Sequence, residues 1–214
     1  MANVARPYGL RPSRYLDSSP WNGQAQLYFF AAAEATAAFK GDVVGIDATN
    51  RSNGISDPYS PGIPAVAAKA AALTTTAYRG VIAGFLPQPE FSQSVTATLG
   101  LQYRVASTAR YGWIVDDVNV IFSTQEIASN SYTSTTANGI NKTCDLSWVT
   151  GNTTTGISKS GVTGFQTAAV RPFRAYRMSA VVDNWGFTAS DPIPYTWWDV
   201  TIANSDLAQA NLGA

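Results

Sequence analysis

Two shortages limit the chemistry this chain can perform. It has no histidine and a single cysteine, Cys144. The first removes the usual general base near neutral pH and the commonest metal ligand. The second excludes an intrachain disulfide and a thiolate zinc site. Cys144 has no imidazole to ionise it and reads as a small buried hydrophobe in a strand. A Ser–Lys pair would need Lys40, Lys69, Lys142 or Lys159, and Lys159-Ser160 sits in a Gly/Thr loop where adjacency implies no geometry. Glycan hydrolysis between two carboxylates would draw on Asp42, Asp47, Glu90, Asp116, Asp117 and Glu126, with Trp113, Trp185, Trp197 and Trp198 lining a groove. Asp116-Asp117 reads more simply as a turn whose side chains cap backbone amides. For calcium, the oxygen-rich groups Asp116, Asp117, Asn119 and Asp47, Asn50, Asn53 both lack EF-hand spacing. Neither glycine pattern for phosphate binding occurs. Arg104, Arg110 and Tyr111 are a weak version of a base-stacking surface. The expectation is a non-enzyme with no cofactor, no metal and no nucleic-acid partner.

Composition agrees with that reading. Fourteen basic and fourteen acidic residues balance at net charge +0, so little electrostatic drive toward nucleic acid remains. Charged residues make up 13% of the 214, about half the usual level, while 45% are hydrophobic. A chain of this length can bury a core without covalent staples. A neutral, charge-poor surface is unusual for a free monomer and suits one covered by partners. Residues 1–9 have no apolar core of a signal peptide, and residues 62–76 are too polar, with Lys69, to span a bilayer, so no membrane partner is expected.

The elements that must carry these residues are short strands. Pro7, Pro12 and Pro20 forbid a long regular element in residues 1–23, where Arg6, Arg11 and Arg14 form a basic cluster. That segment reads as an extended arm, either frayed or ordered by lying on a neighbour. Removing residues 2–20 is then expected to leave a folded core. Residues 28–30 favour a strand, and the alanine run at 31–38 stays open between helix and loop. Strands are expected at 43–46 and 78–85, and a strand or short helix at 63–72. Residues 95–105 alternate most cleanly, with Val95, Ala97, Leu99, Leu101, Tyr103 and Val105 inward and Arg104 outward. Segments 111–115 and 118–122 flank Asp116-Asp117 as a hairpin or a sharp corner. A weak strand is expected at 144–149, a β-rich stretch at 173–182 and a strong strand at 195–202, with a last helical turn or frayed end after 205. Trp197 and Trp198 are adjacent on that strand, so one faces the interior and the other needs a lid, a second layer or a partner; core and oligomer-interface roles stay open for both. The division is an arm at 1–23, a β-rich barrel domain at 24–204 with long loops at 130–140 and 150–164, and a tail at 205–214. The fold class is all-β, a compact barrel or jelly-roll-like sandwich with an extended N-terminal arm. So few Lys and Glu leave strand edges poorly guarded, which favours edges covered in an assembly.

Several segments, in order, resemble the head decoration (cement) proteins of tailed bacteriophages. They are Met1-Ala2-Asn3 with Tyr8-Gly9-Leu10-Arg11-Pro12, then Phe39-Lys40-Gly41-Asp42-Val43-Val44, then Gly80-Val81-Ile82-Ala83-Gly84-Phe85. Next come Ser107-Thr108-Ala109-Arg110-Tyr111, Asp116-Asp117, Asn119-Val120-Ile121-Phe122 and Gln125-Glu126. Ser123 stands where the group usually has an acidic residue. The resemblance implies a structural protein on the outer surface of an assembled capsid, made in the host cytoplasm. It would form a homotrimer and clamp neighbouring major capsid protein subunits. By analogy, Arg6, Tyr8, Leu10, Arg11, Pro12 and Arg14 would anchor the arm on the partner. The rival readings are a tail or fibre module binding receptor or glycan, and a two-carboxylate glycan hydrolase.

Overall fold

The computed structural model describes residues 4–46, 63–68, 77–86, 102–127, 140–167, 171–181 and 195–209. These form an all-β fold of two antiparallel sheets in a sandwich-like arrangement. The strands are β1 (Arg11–Tyr15), β2 (Gln26–Phe30), β3 (Val43–Ile46), β4 (Val66–Ala68), β5 (Gly80–Phe85), β6 (Arg110–Val115), β7 (Val120–Gln125), β8 (Thr143–Ser147), β9 (Gly161–Gln166), β10 (Phe173–Met178) and β11 (Trp197–Ile202). One helical turn, α1 (Asp206–Gln209), follows the last strand. The larger sheet has order β1-β7-β11-β10-β8-β9 and the smaller β2-β6-β5-β3-β4.

Alternation decides what each sheet buries. On β11, Trp198 and Val200 pair with Thr124 and Phe122 of β7 and point into the main core. That core also takes Val43, Val81 and Val115 from one face of the smaller sheet. The opposite face of the smaller sheet gathers Tyr28, Phe30, Val44, Val66, Ile82 and Ile114 into a second cluster. The Asp116-Asp117 segment is a corner and not a hairpin, because β6 and β7 belong to different sheets. Asp117 Oδ1 accepts the Asn119 N–H there at 2.8 Å, as its turn chemistry requires.

Among the described residues no closed barrel forms, but both sheets curl. In the smaller one Phe29 N–H donates to Pro64 O at 3.1 Å, bringing β2 beside the entry to β4. In the larger one Ile127 N–H donates to Val162 O at 2.9 Å, bringing β9 to the end of β7. The edge of β1 is met by its own chain, Tyr15 N–H donating to Ser19 O at 2.9 Å. The expectation that strand edges need an assembly is therefore corrected at these places: the chain covers them itself.

The arm reading is corrected as well. Residues 11–15 are an edge strand of the larger sheet, antiparallel to β7, and Leu10 is buried in the main core. Pro12 is tolerated because β1 lies at an edge, with a shift in register between Pro12 and Arg14. The alanine run forms turns and no helix. Most of the alternating segment at 95–105 lies outside the described residues. Its end departs from expectation: Arg104 is fully buried and Val105 is exposed.

Candidate functional site

The candidate site begins where the chain crosses itself. Gly9 and Gly41 both adopt positive φ, and a Cβ on Gly9 would lie 2.4 Å from the Gly41 carbonyl oxygen. Only glycine at both positions lets the two backbones approach this closely. Leu10 N–H then donates to Gly41 O at 2.9 Å, Gly41 N–H to Ile82 O at 2.8 Å, and Ile82 N–H to Asp42 O at 2.9 Å. Beneath the crossing, Asp42 is buried and its Oδ2 accepts the Phe39 N–H at 2.9 Å. Burial pushes its carboxyl up to about 6, against the hydroxyls of Ser158 and Ser160 and the Phe39 amide, which favour its charge.

From this crossing the leading segment runs over the outward face of the larger sheet. Tyr8 stacks on Trp197 with ring centroids 4.6 Å apart and its hydroxyl meets Ser123 Oγ at 3.4 Å. The Arg11 guanidinium lies 4.3 Å from the Tyr8 ring centroid, so cation, ring and indole form one stack. Gln125, fully buried, binds the segment at both ends of its amide: Oε1 accepts Arg6 N–H at 2.8 Å and Nε2 donates to Val4 O at 2.9 Å. Asp199 pairs with Arg14 and, at 2.9 Å, with Arg177, and also accepts the Ser179 hydroxyl.

The expected anchors are thus brought together, but on their own chain. Arg6, Tyr8, Leu10, Pro12 and Arg14 fasten the segment to the sheet, while the Arg11 side chain stays exposed. Trp198 is fully buried and Trp197 is 7% exposed under Tyr8, so neither presents an oligomer surface as placed here. The second tryptophan's lid is Tyr8. Gln125 and Asp199 were not singled out as site residues. The available signal was Asp199 itself, a carboxylate flanked by Trp198 and Val200, where a buried charge needs cationic partners.

Other candidates are spent on structure. The Ser160 hydroxyl donates to Val149 O at 3.2 Å and accepts Val149 N–H at 3.1 Å, with Lys159 exposed beside it. Burial holds the Cys144 thiol far above its ordinary pKa. Arg104 and Arg110 turn inward to backbone carbonyls and form no base-stacking surface. Asp116 accepts the Tyr28 hydroxyl at 2.7 Å. Asp47, Asn50, Asn53, Lys69, Glu90 and Trp185 lie outside the described residues. Among the described residues no group of His, Cys, Asp and Glu gathers as metal ligands, and no helix is long and apolar enough to cross a membrane.

A groove of about 320 Å³ opens beside the crossing, lined by Leu10, Arg11, Pro12, Trp21, Lys40 and Ile82 among others. No family model, no curated protein and no solved structure matches the chain.

Proposed function

We propose that the protein is a non-enzymatic structural protein of a tailed-bacteriophage virion. It binds the outside of the assembled capsid, as a trimer, and stabilises the shell by clamping adjacent capsid subunits. One observation carries this reading. Several of the segments resembling decoration proteins, spread from Tyr8 to Glu126, are neighbours in the fold. Leu10 bonds to Gly41, Gly41 to Ile82, and Arg11 pairs with Ser123 beside Phe122. Val81 pairs with Val115 just before Asp116-Asp117, and Gln125 holds the backbone of Arg6. That is the arrangement a shared folding unit would have. The charge-poor composition supports the same reading, since a surface spent on partners needs little charge of its own.

With the leading segment fixed on its own sheet, the clamp is a rigid surface. A shell repeats each weak contact many times, so modest single-site affinity suffices. The test is reconstitution on isolated heads of the cognate phage. Added protein is expected to appear as ordered density between capsid subunits by cryo-microscopy and to raise the temperature of genome release. Heads that stay bare at saturating protein, or release curves that coincide, would overturn it.

A further inference from the structure

The groove beside the crossing does not end at Ile82. A second, more open cavity of about 340 Å³ shares Ala83 with it and continues past Gly84 to Trp113. The shared floor is a break in the β5–β6 ladder, where the register shifts between Ile82 and Gly84. A bulge of this kind re-aims its extra residue and interrupts pairing. A Cβ on Gly84 would touch nothing within 4 Å, so the floor is open above. Trp21 lines the first cavity and Trp113, 39% exposed, the second.

The chemistry of the walls limits the occupant. The lining has no Asn, Gln, Asp, Glu, Ser or Thr side chain; its polar side chains are Tyr8, Arg11, Trp21, Lys40 and Trp113, nearly all donors, so it favours an occupant that brings acceptors. Its charges are Arg11 and Lys40, both exposed, at the crossing end. Among the described residues neither meets a carboxylate at ion-pair distance. The nearby Asp42 is turned inside and buried. An apolar floor with cations at one end complements an extended apolar segment whose acidic side chains lie at the crossing end.

We propose that this groove docks an extended acidic–apolar peptide segment of a partner protein. Its apolar side chains lie on Ala83 and Gly84 between Trp21 and Trp113, and its carboxylates answer Arg11 and Lys40. That the partner is a capsid subunit rests on the function proposed above; the groove's preference for such a peptide does not.

The probe is a fluorescein-labelled decapeptide with a Glu cluster at one end followed by Phe and Val, beside a counterpart with Lys at each Glu, read by fluorescence anisotropy. The acidic peptide is expected to bind saturably and at least tenfold tighter than the basic one, with the gap narrowing as salt screens the cations. K40E alone should reduce that preference, R11E with K40E should abolish or invert it, and Ala83→Trp should weaken both peptides. K40E guards against misfolding, because the exposed Lys40 side chain carries none of the crossing's backbone bonds. Absence of saturable binding, equal affinities, or a preference untouched by the charge reversals overturns the proposal. Head binding separates the two readings. Wild type and R11E/K40E binding heads equally would sink the groove as the capsid-docking site and spare the capsid role. An acidic preference in a protein that never binds heads would do the reverse.

Discussion

The Arg104 guanidinium donates to the carbonyl oxygens of Ala31, Glu34, Thr36 and Thr108, all at 2.6 to 2.8 Å. Ala31 O also accepts Glu34 N–H at 3.1 Å and Glu34 O accepts Ser107 N–H at 2.9 Å, so the guanidinium adds to these turn bonds and ties the 31–38 loop to the 104–108 turn. The planar fork matters, because a lysine ammonium cannot reach separated carbonyls in this way. Arg104→Met is expected to cost about 3 kcal/mol in urea unfolding, since four charge-assisted bonds from a fully buried guanidinium to part-buried carbonyls are lost together. Arg104→Lys should recover little of it; a fully stable lysine variant would show that the knot is incidental. Asp42 makes a different, pH-dependent contribution. Its carboxyl is raised from 3.8 to about 6 by burial, so the folded state holds the proton more tightly than the unfolded chain. The protonated form carries no penalty below pH 4, and the cost of the charged form grows until pH passes 6, where it reaches about 3 kcal/mol. Asp42→Asn keeps an acceptor for Phe39 N–H and cannot ionise. Measured from pH 4 to 7, the variant should gain on wild type as pH rises; a difference that does not change with pH would refute this.

Where the leading segment crosses the Phe39–Asp42 turn, two positive-φ glycines face each other. Gly9→Ala or Gly41→Ala is expected to lower stability by about 2 kcal/mol or more, because each adds left-handed strain and a Cβ within 2.6 Å of backbone oxygen. Thermal melts of the two variants check it, and wild-type melting points would mean the crossing can slide apart. Deleting residues 2–20 should remove cooperative unfolding altogether, since it takes away β1, Leu10 from the core and the Tyr8 lid on Trp197. A truncated protein that still melts sharply would return the segment to the status of an appendage. How much of this could be read from residues alone follows from where the information lies. The alternation of residues 195–202 marked β11 and its two faces, and the apolar runs marked β3 and β5, because those patterns are local. β1 was hidden behind Pro12, which an edge position permits, and β9 behind the glycines and threonines of a stretch that reads as loop. Arg104 was placed outward because period-2 alternation describes a ladder, and its end of that segment makes one isolated bridge, to Ala38. The groove was not legible at all: Arg11, Lys40, Ala83 and Trp113 come from four separate segments that only the crossing and the sheet assemble.

At the scale of the whole molecule, the features that suggested an unfinished chain are met from within it. The leading segment has its sheet, the second tryptophan has its lid, and both sheets meet their own edges through the Phe29–Pro64 and Ile127–Val162 bonds. Partners, on this account, add to a completed fold and do not create it. That separates a chain that folds before it associates from an obligate oligomer, whose stability is inseparable from its concentration. At concentrations where sedimentation finds single chains, the protein should keep its near-ultraviolet circular dichroism, as Trp198 and Phe165 packed 4.9 Å apart require. It should also unfold in one urea transition, with a midpoint set by the chain's own contacts and a slope matching the surface of the whole β-rich body. Where a trimer does form, raising the concentration should lift the midpoint only by the binding energy of the added interface, leaving that baseline unchanged. A chain that loses its aromatic dichroism on dilution, before any denaturant is added, would mean that these internal closures are too weak to hold the sheets alone and that neighbouring subunits complete the fold after all.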